Sequence, residues 1–338
     1  MTGRRTVSVV VPVYNSAQTL PELLDRLQPV LEESASLYEV VLVNDGSADQ
    51  SGRVMRDLAR TRPWVQTIEL MRNYGQHNAL LCGIRSARYD VIVTIDDDLQ
   101  HPPEELPRLI AALDAEDGYD LVYGTAQNLR HSGLRNALSR LTKDLLARNI
   151  GLGAIRDVSA FRAFRAYLRP AFADVRGPDV ILDVLLGWGT TRITAVPVGH
   201  QPRKLGKSNY TVRRLIRHGM MMLTGYSTAP LRFASLLGFA FTMFGFLTLV
   251  YVVVRVLLVR SVPGFPFLAS MISLFSGVQL FVLGIIGEYL ARMFNRNIDK
   301  PTYVVRSCIG AEKVPDRTDT LLGIPTTDSS VPRSLEPV

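Results

Sequence analysis

Two apolar runs toward the carboxyl end constrain this chain more than any other feature. From Arg232 to Arg260, and again from Phe267 to Ile286, almost no polar residue interrupts the sequence. A helix that spans a bilayer needs roughly 18 to 20 apolar residues, and each run is long enough. Arg255 falls near the far end of the first run, where a long side chain can snorkel to the interface. The expected arrangement is a transmembrane helix over 231–260, a short extracytoplasmic Pro/Gly turn over 261–266 and a second transmembrane helix over 267–290. The competing reading is a helical hairpin buried inside a soluble protein.

Charge gives the hairpin a direction. Arg203, Lys204, Lys207, Arg213, Arg214 and Arg217 precede it, and Arg292, Arg296, Lys300 and Arg306 follow it, while Arg260 is the one cation near its outer turn. The positive-inside rule places both flanks in the cytoplasm, so a multi-pass inner-membrane protein with a cytoplasmic catalytic part is expected. Arg4 and Arg5 lead straight into a strand pattern, so no cleavable signal peptide is read at the start. The net charge of +7 raises the question of nucleic acid. The cations crowd beside the apolar runs, where anionic headgroups are their counterpart, and no zinc-finger or RNA-recognition spacing is present, so no nucleic-acid partner is expected. Cys82 and Cys308 stand alone and the five His lie apart without an HExxH pair, which argues against a disulfide framework and against zinc hydrolysis.

Ahead of the apolar runs, strand and helix signals alternate. Strands are predicted over 6–13, 38–43, 65–70, 91–95 and 121–123, and helices over 19–31, 50–60, 76–87 and 103–113. This alternation implies an α/β domain over 1–200, a mostly parallel sheet with helices on both faces. Ser47 and Gln50 have capping-box spacing for the second helix. A basic helix is read over 139–150, ended by glycines at 151 and 153, and further buried elements over 180–186 and 193–198. Residues 201–230 combine a basic loop with interleaved apolar positions, the pattern of a membrane-surface helix. Residues 291–306 form a cytoplasmic return segment, and a disordered tail is expected over 307–338, rich in Ser, Thr, Pro and Asp.

The predicted strand 91–95 runs into Asp96-Asp97-Asp98-Leu99-Gln100. Carboxylates just past the carboxyl end of a parallel strand lie where open α/β sheets bind ligands. On an extended chain Asp96 and Asp98 point to one side, with Gln100 continuing the row as a neutral oxygen ligand. Hard oxygen donors without His or Cys favour Mg2+ or Mn2+. The alternative is an acidic turn capping the next helix. Neither GxGxxG nor GxxxxGK[ST] occurs, so a metal is left to do much of the work of holding phosphates.

Taken in order, Val11-Pro12-Val13-Tyr14-Asn15, Asn44-Asp45-Gly46-Ser47, Arg72-Asn73-Tyr74-Gly75-Gln76-His77, the run from Asp96 to Glu104, Gly124-Thr125 with Asn128-Leu129-Arg130, and Gly287-Glu288-Tyr289-Leu290 resemble glycosyltransferase family 2 with the GT-A fold. Within that family they are similar to the polyprenyl-phosphate glycosyltransferases, the group of undecaprenyl-phosphate aminoarabinose transferases, bactoprenol glucosyltransferases and dolichyl-phosphate mannose synthases. The similarity runs over residues 7–305. It implies metal-dependent, inverting transfer of a sugar from a nucleoside diphosphate sugar, with a UDP-sugar favoured, to undecaprenyl or another polyprenyl phosphate at the cytoplasmic membrane face. A GDP-mannose-dependent synthase is the alternative donor reading, and a homotetramer is the assembly that relatives suggest.

Carried over residue by residue, the resemblance implies that Pro12, Tyr14, Asn15, Asp45, Arg72, Gln76 and Asp97 surround the nucleotide. It implies Asp96, Asp98 and Gln100 at the metal, Arg130 at the reacting diphosphate, and Arg135, Arg162, Arg203, Lys207 and Ser208 at the acceptor phosphate. Each has a plainer alternative: Pro12 and Tyr14 end a strand, Asp45 shapes a turn, and any one Arg is a solvated surface charge. Asp157 either positions the sugar or pairs with Arg162. Two positions depart from the pattern. Ser16 stands where many relatives have a ribose-binding Glu, and Gln76 stands where relatives using mannose or glucose often have Lys. Two other classes compete: a non-catalytic membrane scaffold that binds nucleotide sugars, and a glycosidase. The glycosidase needs carboxylates flanking its substrate at roughly 5 to 9.5 Å, whereas Asp96 and Asp98 share one strand end.

Overall fold

The computed structural model describes residues 5–115, 118–126, 159–177, 180–201, 229–259, 264–298 and 300–310. Near-continuous runs of β-branched residues make the central strands. β1 (Thr6–Val13), β2 (Leu37–Asn44), β3 (Val65–Leu70) and β4 (Val91–Thr94) pair in parallel, with β1 between β2 and β4. Beyond β4 lie β6 (Arg162–Arg165), β5 (Leu121–Ala126) and β7 (Ile193–Val198). β6 is antiparallel to both β4 and β5, and β7 is parallel to β5. At the other edge β8 (Val305–Ile309) pairs antiparallel with β3, giving the order β7-β5-β6-β4-β1-β2-β3-β8. Only β6 and β8 oppose the remaining strands, so the predicted mostly parallel α/β sheet is the one that forms.

Side chains alternate across β1 as a pleated strand requires. Val7, Val9, Val11 and Val13 meet α1 (Leu20–Ser34), α2 (Ser51–Thr61) and α4 (Leu106–Leu113) on one face. Val10 meets α3 (Gln76–Ser86) and, with Tyr123 and Phe164, α5 (Leu182–Gly189) on the other. α3 packs close because Gly83 has no side chain, and a Cβ there would lie 2.4 Å from Val10 Cγ1.

α6 (Ala229–Val259) and α7 (Phe265–Asn297) follow as two long apolar helices. Both are long and apolar enough to cross a membrane, over Pro230–Arg255 and Leu274–Ala291, and neither window is buried in the rest of the protein. They meet where Phe241 sits edge-on to Phe275 at 6.1 Å, beside Gly245.

Several expectations change. The tail reading began at 307, but residues 305–309 are strand β8, whose backbone satisfies the otherwise open edge of β3. β6 was not predicted at all. The capping box does not form: α2 starts at Ser51, and the Ser47 hydroxyl instead accepts from Asn15 N at 3.0 Å. The strand before the acidic run stops at Thr94, one residue early. The basic helix over 139–150 and most of 201–230 lie outside the described residues.

Candidate active site

The chain reverses its direction of travel across the sheet at β1: β2 and β3 lie to one side, β4 to the other. The crevice beyond the carboxyl ends of β1 and β4 is therefore the switch point of the sheet, where such folds bind ligands. Four segments close on it.

After β1, which contains Pro12, the chain passes through the exposed Tyr14 into Asn15, whose φ of 55° is left-handed. Asn tolerates that conformation better than other side-chain-bearing residues. Its amide oxygen accepts from Ala48 N at 2.9 Å, while its own N–H reaches Ser47. Ser16 N adds a bond to Ser51 Oγ at 2.8 Å, so the loops after β1 and β2 are stitched together. Ser16 thus contributes a backbone contact, and its hydroxyl donates to Tyr14 O at 3.2 Å.

After β2, Asp45 is nearly fully buried and accepts from Tyr74 N at 2.7 Å and Gly75 N at 2.9 Å. Burial raises its pKa, against the pull of those two donors. Gly46 (φ 66°) brings the backbone of Arg72 and Asn73 so close that a Cβ would stand 2.5 Å from them. The segment 72–75 is thereby clamped over the loop after β2, with the Arg72 guanidinium 4.7 Å from the Tyr74 ring.

The acidic run itself is a turn. Asp97 and Asp98 leave the extended conformation, and Leu99 is left-handed (φ 61°) and buried. The argument that Asp96 and Asp98 share a side by strand alternation therefore fails, because strand geometry ends before them. Each carboxylate instead has its own tether. Asp96 Oδ1 accepts from Gln76 Nε2 at 2.7 Å, Asp97 Oδ2 from Tyr14 N at 3.1 Å, and Asp98 Oδ1 from Gln100 N at 3.1 Å. Burial pushes the Asp97 carboxyl up to about 6. Gln100 also takes Gln201 N on its carbonyl at 2.9 Å, which brings the segment after β7 to the same turn.

Among the described residues, no three His, Cys, Asp or Glu side chains gather into a self-sufficient metal site. Asp96, Asp98 and Gln100 supply the hard oxygen donors that suit a cation taking its remaining ligands from water and substrate phosphates. A carboxylate has about four lone-pair positions, so one hydrogen bond to Asp96 or Asp98 does not exhaust it.

Arg162 requires a correction. It was expected at the acceptor phosphate, but it is buried on β6, with Nε donating to Thr94 Oγ1 at 3.0 Å and its guanidinium paired with Asp183. Tyr123 Oη donates to the same Asp183 carboxylate at 3.0 Å. A guanidinium enclosed in this way braces Thr94, two residues before Asp96, and its charge is met by Asp183. Thr94 and Asp183 are the residues that sequence reasoning missed. A lone Asp in the apolar run 180–186 was the available signal for Asp183. His101, next to Gln100, is held neutral: burial and the neighbouring His200 lower its pKa to about 4. Its ring lies 5.4 Å from those of both Phe161 and His200. Arg130, Arg135, Asp157, Arg203, Lys207 and Ser208 lie outside the described residues.

The sequence matches the model of glycosyl transferase family 2 over residues 8–175. The undecaprenyl-phosphate 4-deoxy-4-formamido-L-arabinose transferase of Proteus mirabilis (strain HI4320) is 33% identical over 311 residues, covering 91% of this chain and 95% of that one. The enzyme of the same name from Yersinia pestis (strain Pestoides F) is 34% identical over 319 residues, covering 93% and 97%. Among solved structures, glucosyl-3-phosphoglycerate synthase from Mycobacterium tuberculosis, in complex with Mn2+, UDP and phosphoglyceric acid, is 20% identical, with a TM-score of 0.48 over 65% of this chain and 76% of that one. With a third of its residues shared along almost the full length of those relatives, this chain belongs to glycosyltransferase family 2 and is a glycosyltransferase.

Proposed function

We propose that the protein transfers a sugar from a nucleoside diphosphate sugar, with a UDP-sugar favoured, to undecaprenyl or another polyprenyl phosphate at the cytoplasmic face of the inner membrane. One observation carries this reading: the acidic turn, the end of β7 that precedes the apolar helices in sequence and the start of β8 that follows them lie on the same edge of the sheet. β7 runs toward that edge, and Gln201 just after it bonds to Gln100. On the way back, Val305 pairs with Leu70 at the carboxyl end of β3. The eight steps from Asn297 to Val305 span at most about 28 Å of extended chain. A site on the edge shared by the end of β7 and the start of β8, the strands that bracket the apolar helices in sequence, suits an acceptor whose chain stays in the bilayer. Each buried CH₂ of such a lipid is worth about 0.8 kcal/mol, so the enzyme must come to it. The acceptor named for the Proteus and Yersinia relatives supports the same class of lipid.

In this reading Asp96, Asp98 and Gln100 hold Mg2+ or Mn2+. When bound, the cation stabilises charge on the departing diphosphate. Pro12, Tyr14, Asn15, Asp45, Arg72, Gln76 and Asp97 shape the nucleotide pocket through the stitched loops described above. Arg130 meets the diphosphate, and Arg135, Arg203, Lys207 and Ser208 meet the acceptor phosphate, while Asp157 orients the sugar. A phosphate monoester has a second pKa near about 6, so the nucleophile is already largely ionised and no strong base is required. Its attack opposite the diphosphate inverts the anomeric carbon. A homotetramer is the assembly proposed from the family resemblance.

The test uses the purified full-length protein with Mn2+ or Mg2+, undecaprenyl phosphate and a panel of radiolabelled UDP- and GDP-sugars. Metal-dependent label in the organic phase is the expected result, and it names the donor. Release of free sugar without lipid would overturn the reading in favour of hydrolysis. Asp98→Ala should lower lipid labelling by more than about 100-fold while leaving thermal unfolding unchanged; near wild-type transfer would remove Asp98 from the metal.

A further inference from the structure

We infer that Gln76 is a positioning residue that sets how strongly the acidic turn holds its cation. The inference deepens the function proposed above and rests on Asp96 being a metal ligand. Its basis is the contact between Gln76 Nε2 and Asp96 Oδ1 at 2.7 Å, which joins two different elements across the crevice.

Three features give the contact weight. Gln76 is the first residue of α3, directly after the Tyr74 and Gly75 N–H groups that Asp45 holds. α3 itself is seated on the sheet through Gly83 against Val10. The amide therefore hangs from a fixed base. Gln76 is also exposed, so it contributes little to the core and its side chain is not there for packing.

The chemistry of an amide at this point is specific. Its N–H makes a charge-assisted bond that fixes the rotation of the carboxylate. Because the amide carries no charge, Asp96 keeps its full negative charge for a cation. A lysine ammonium in its place would pair with Asp96 and compete with the metal. An apolar side chain would remove the hydrogen bond that ties the carboxylate to α3. Hydrogen bonds that orient metal-ligating side chains typically change metal affinity about 10- to 100-fold.

The experiment measures Mn2+ binding by the loss of the free-ion electron paramagnetic resonance signal, on detergent-purified full-length protein with saturating UDP. Gln76→Met is expected to raise the half-saturating Mn2+ concentration about 10-fold, and Gln76→Lys to raise it further. The melting temperature of the metal-free protein should stay at the wild-type value, because Gln76 is exposed. Unchanged Mn2+ half-saturation in Gln76→Met would overturn the inference and leave Gln76 only its place in the nucleotide pocket. Asp96→Ala separates the two levels. If that variant loses Mn2+ while Gln76→Met does not, only the role of Gln76 falls. If wild-type protein takes up no Mn2+ with UDP, the metal reading falls and this inference with it.

Discussion

At the scale of single residues, the buried pair of Arg162 and Asp183 decides how well the acidic turn is supported. Arg162 also holds Thr94, the last residue of β4. Arg162→Met fills much of the same volume but leaves Asp183 without its counter-charge, and an uncompensated buried charge costs about 3–5 kcal/mol. A loss of that order in chemical denaturation is expected, and a change under about 1 kcal/mol would show the pair to be solvent-relaxed. Asp97 gives a pH-dependent prediction. Its folded pKa of about 6 lies above the ordinary 3.8, so the folded state prefers it protonated. Its stabilising contribution is complete below the ordinary value and is lost as pH rises through about 6. Asp97→Asn should therefore raise the melting temperature of EDTA-treated protein at pH 7.5 and change it much less at pH 3.5. An equal gain at both values would assign the effect to something other than charge. The acidic turn was legible in the sequence because three carboxylates after an apolar strand are conspicuous. The role of Arg162 was not, since its partner is 21 positions away and an Arg at a strand end reads as a surface charge.

At the scale of elements, β1 to β4 could be read because buried parallel strands are continuous β-branched runs bounded by polar turns. β6 and β8 could not. Arg162–Arg165 begins and ends with arginine, and Val305–Ile309 sets Arg306 and Ser307 side by side in a stretch that locally resembles a tail. Each becomes a strand only because a neighbour offers an unpaired edge, β4 and β5 for one and β3 for the other. The Ser47 cap was lost in the same way, to a donor 32 residues distant. The seating of α3 was equally invisible, since a glycine in a helix reads as a weakness until the strand beneath it is known. Gly83→Ala places a methyl against Val10 and Val43. Overpacking of a dense core costs about 1–3 kcal/mol, so unfolding at correspondingly lower denaturant is expected. Because α3 carries Gln76, the same change should also weaken UDP-dependent Mn2+ uptake; stability and uptake both at wild-type values would mean that the helix is loosely seated.

For the whole molecule, the two apolar helices were legible in composition, while the edge of the sheet at which the strands before and after them meet the site was legible only in the topology. A parallel sheet has a polarity, and the described loops of the candidate site leave its carboxyl edge. β7 ends at that edge and β8 begins at it, and between them in sequence stand two helices of 31 and 33 residues. At about 1.5 Å per residue these are roughly 46 and 50 Å long, more than a hydrocarbon core of about 30 Å. If the pair spans the bilayer, Gly264 lies on the side opposite the nucleotide loops. Labelling with a membrane-impermeant maleimide tests this, in a background with Cys82 and Cys308 replaced by Ala. Gly264→Cys should react in spheroplasts with an intact inner membrane, and Asp49→Cys, in the loop before α2, only after lysis. The reverse pattern would place the site outside, where nucleotide sugars are not supplied. Reaction of both only after lysis would return the helices to a hairpin that does not cross the membrane, and the lipid acceptor would lose its structural support.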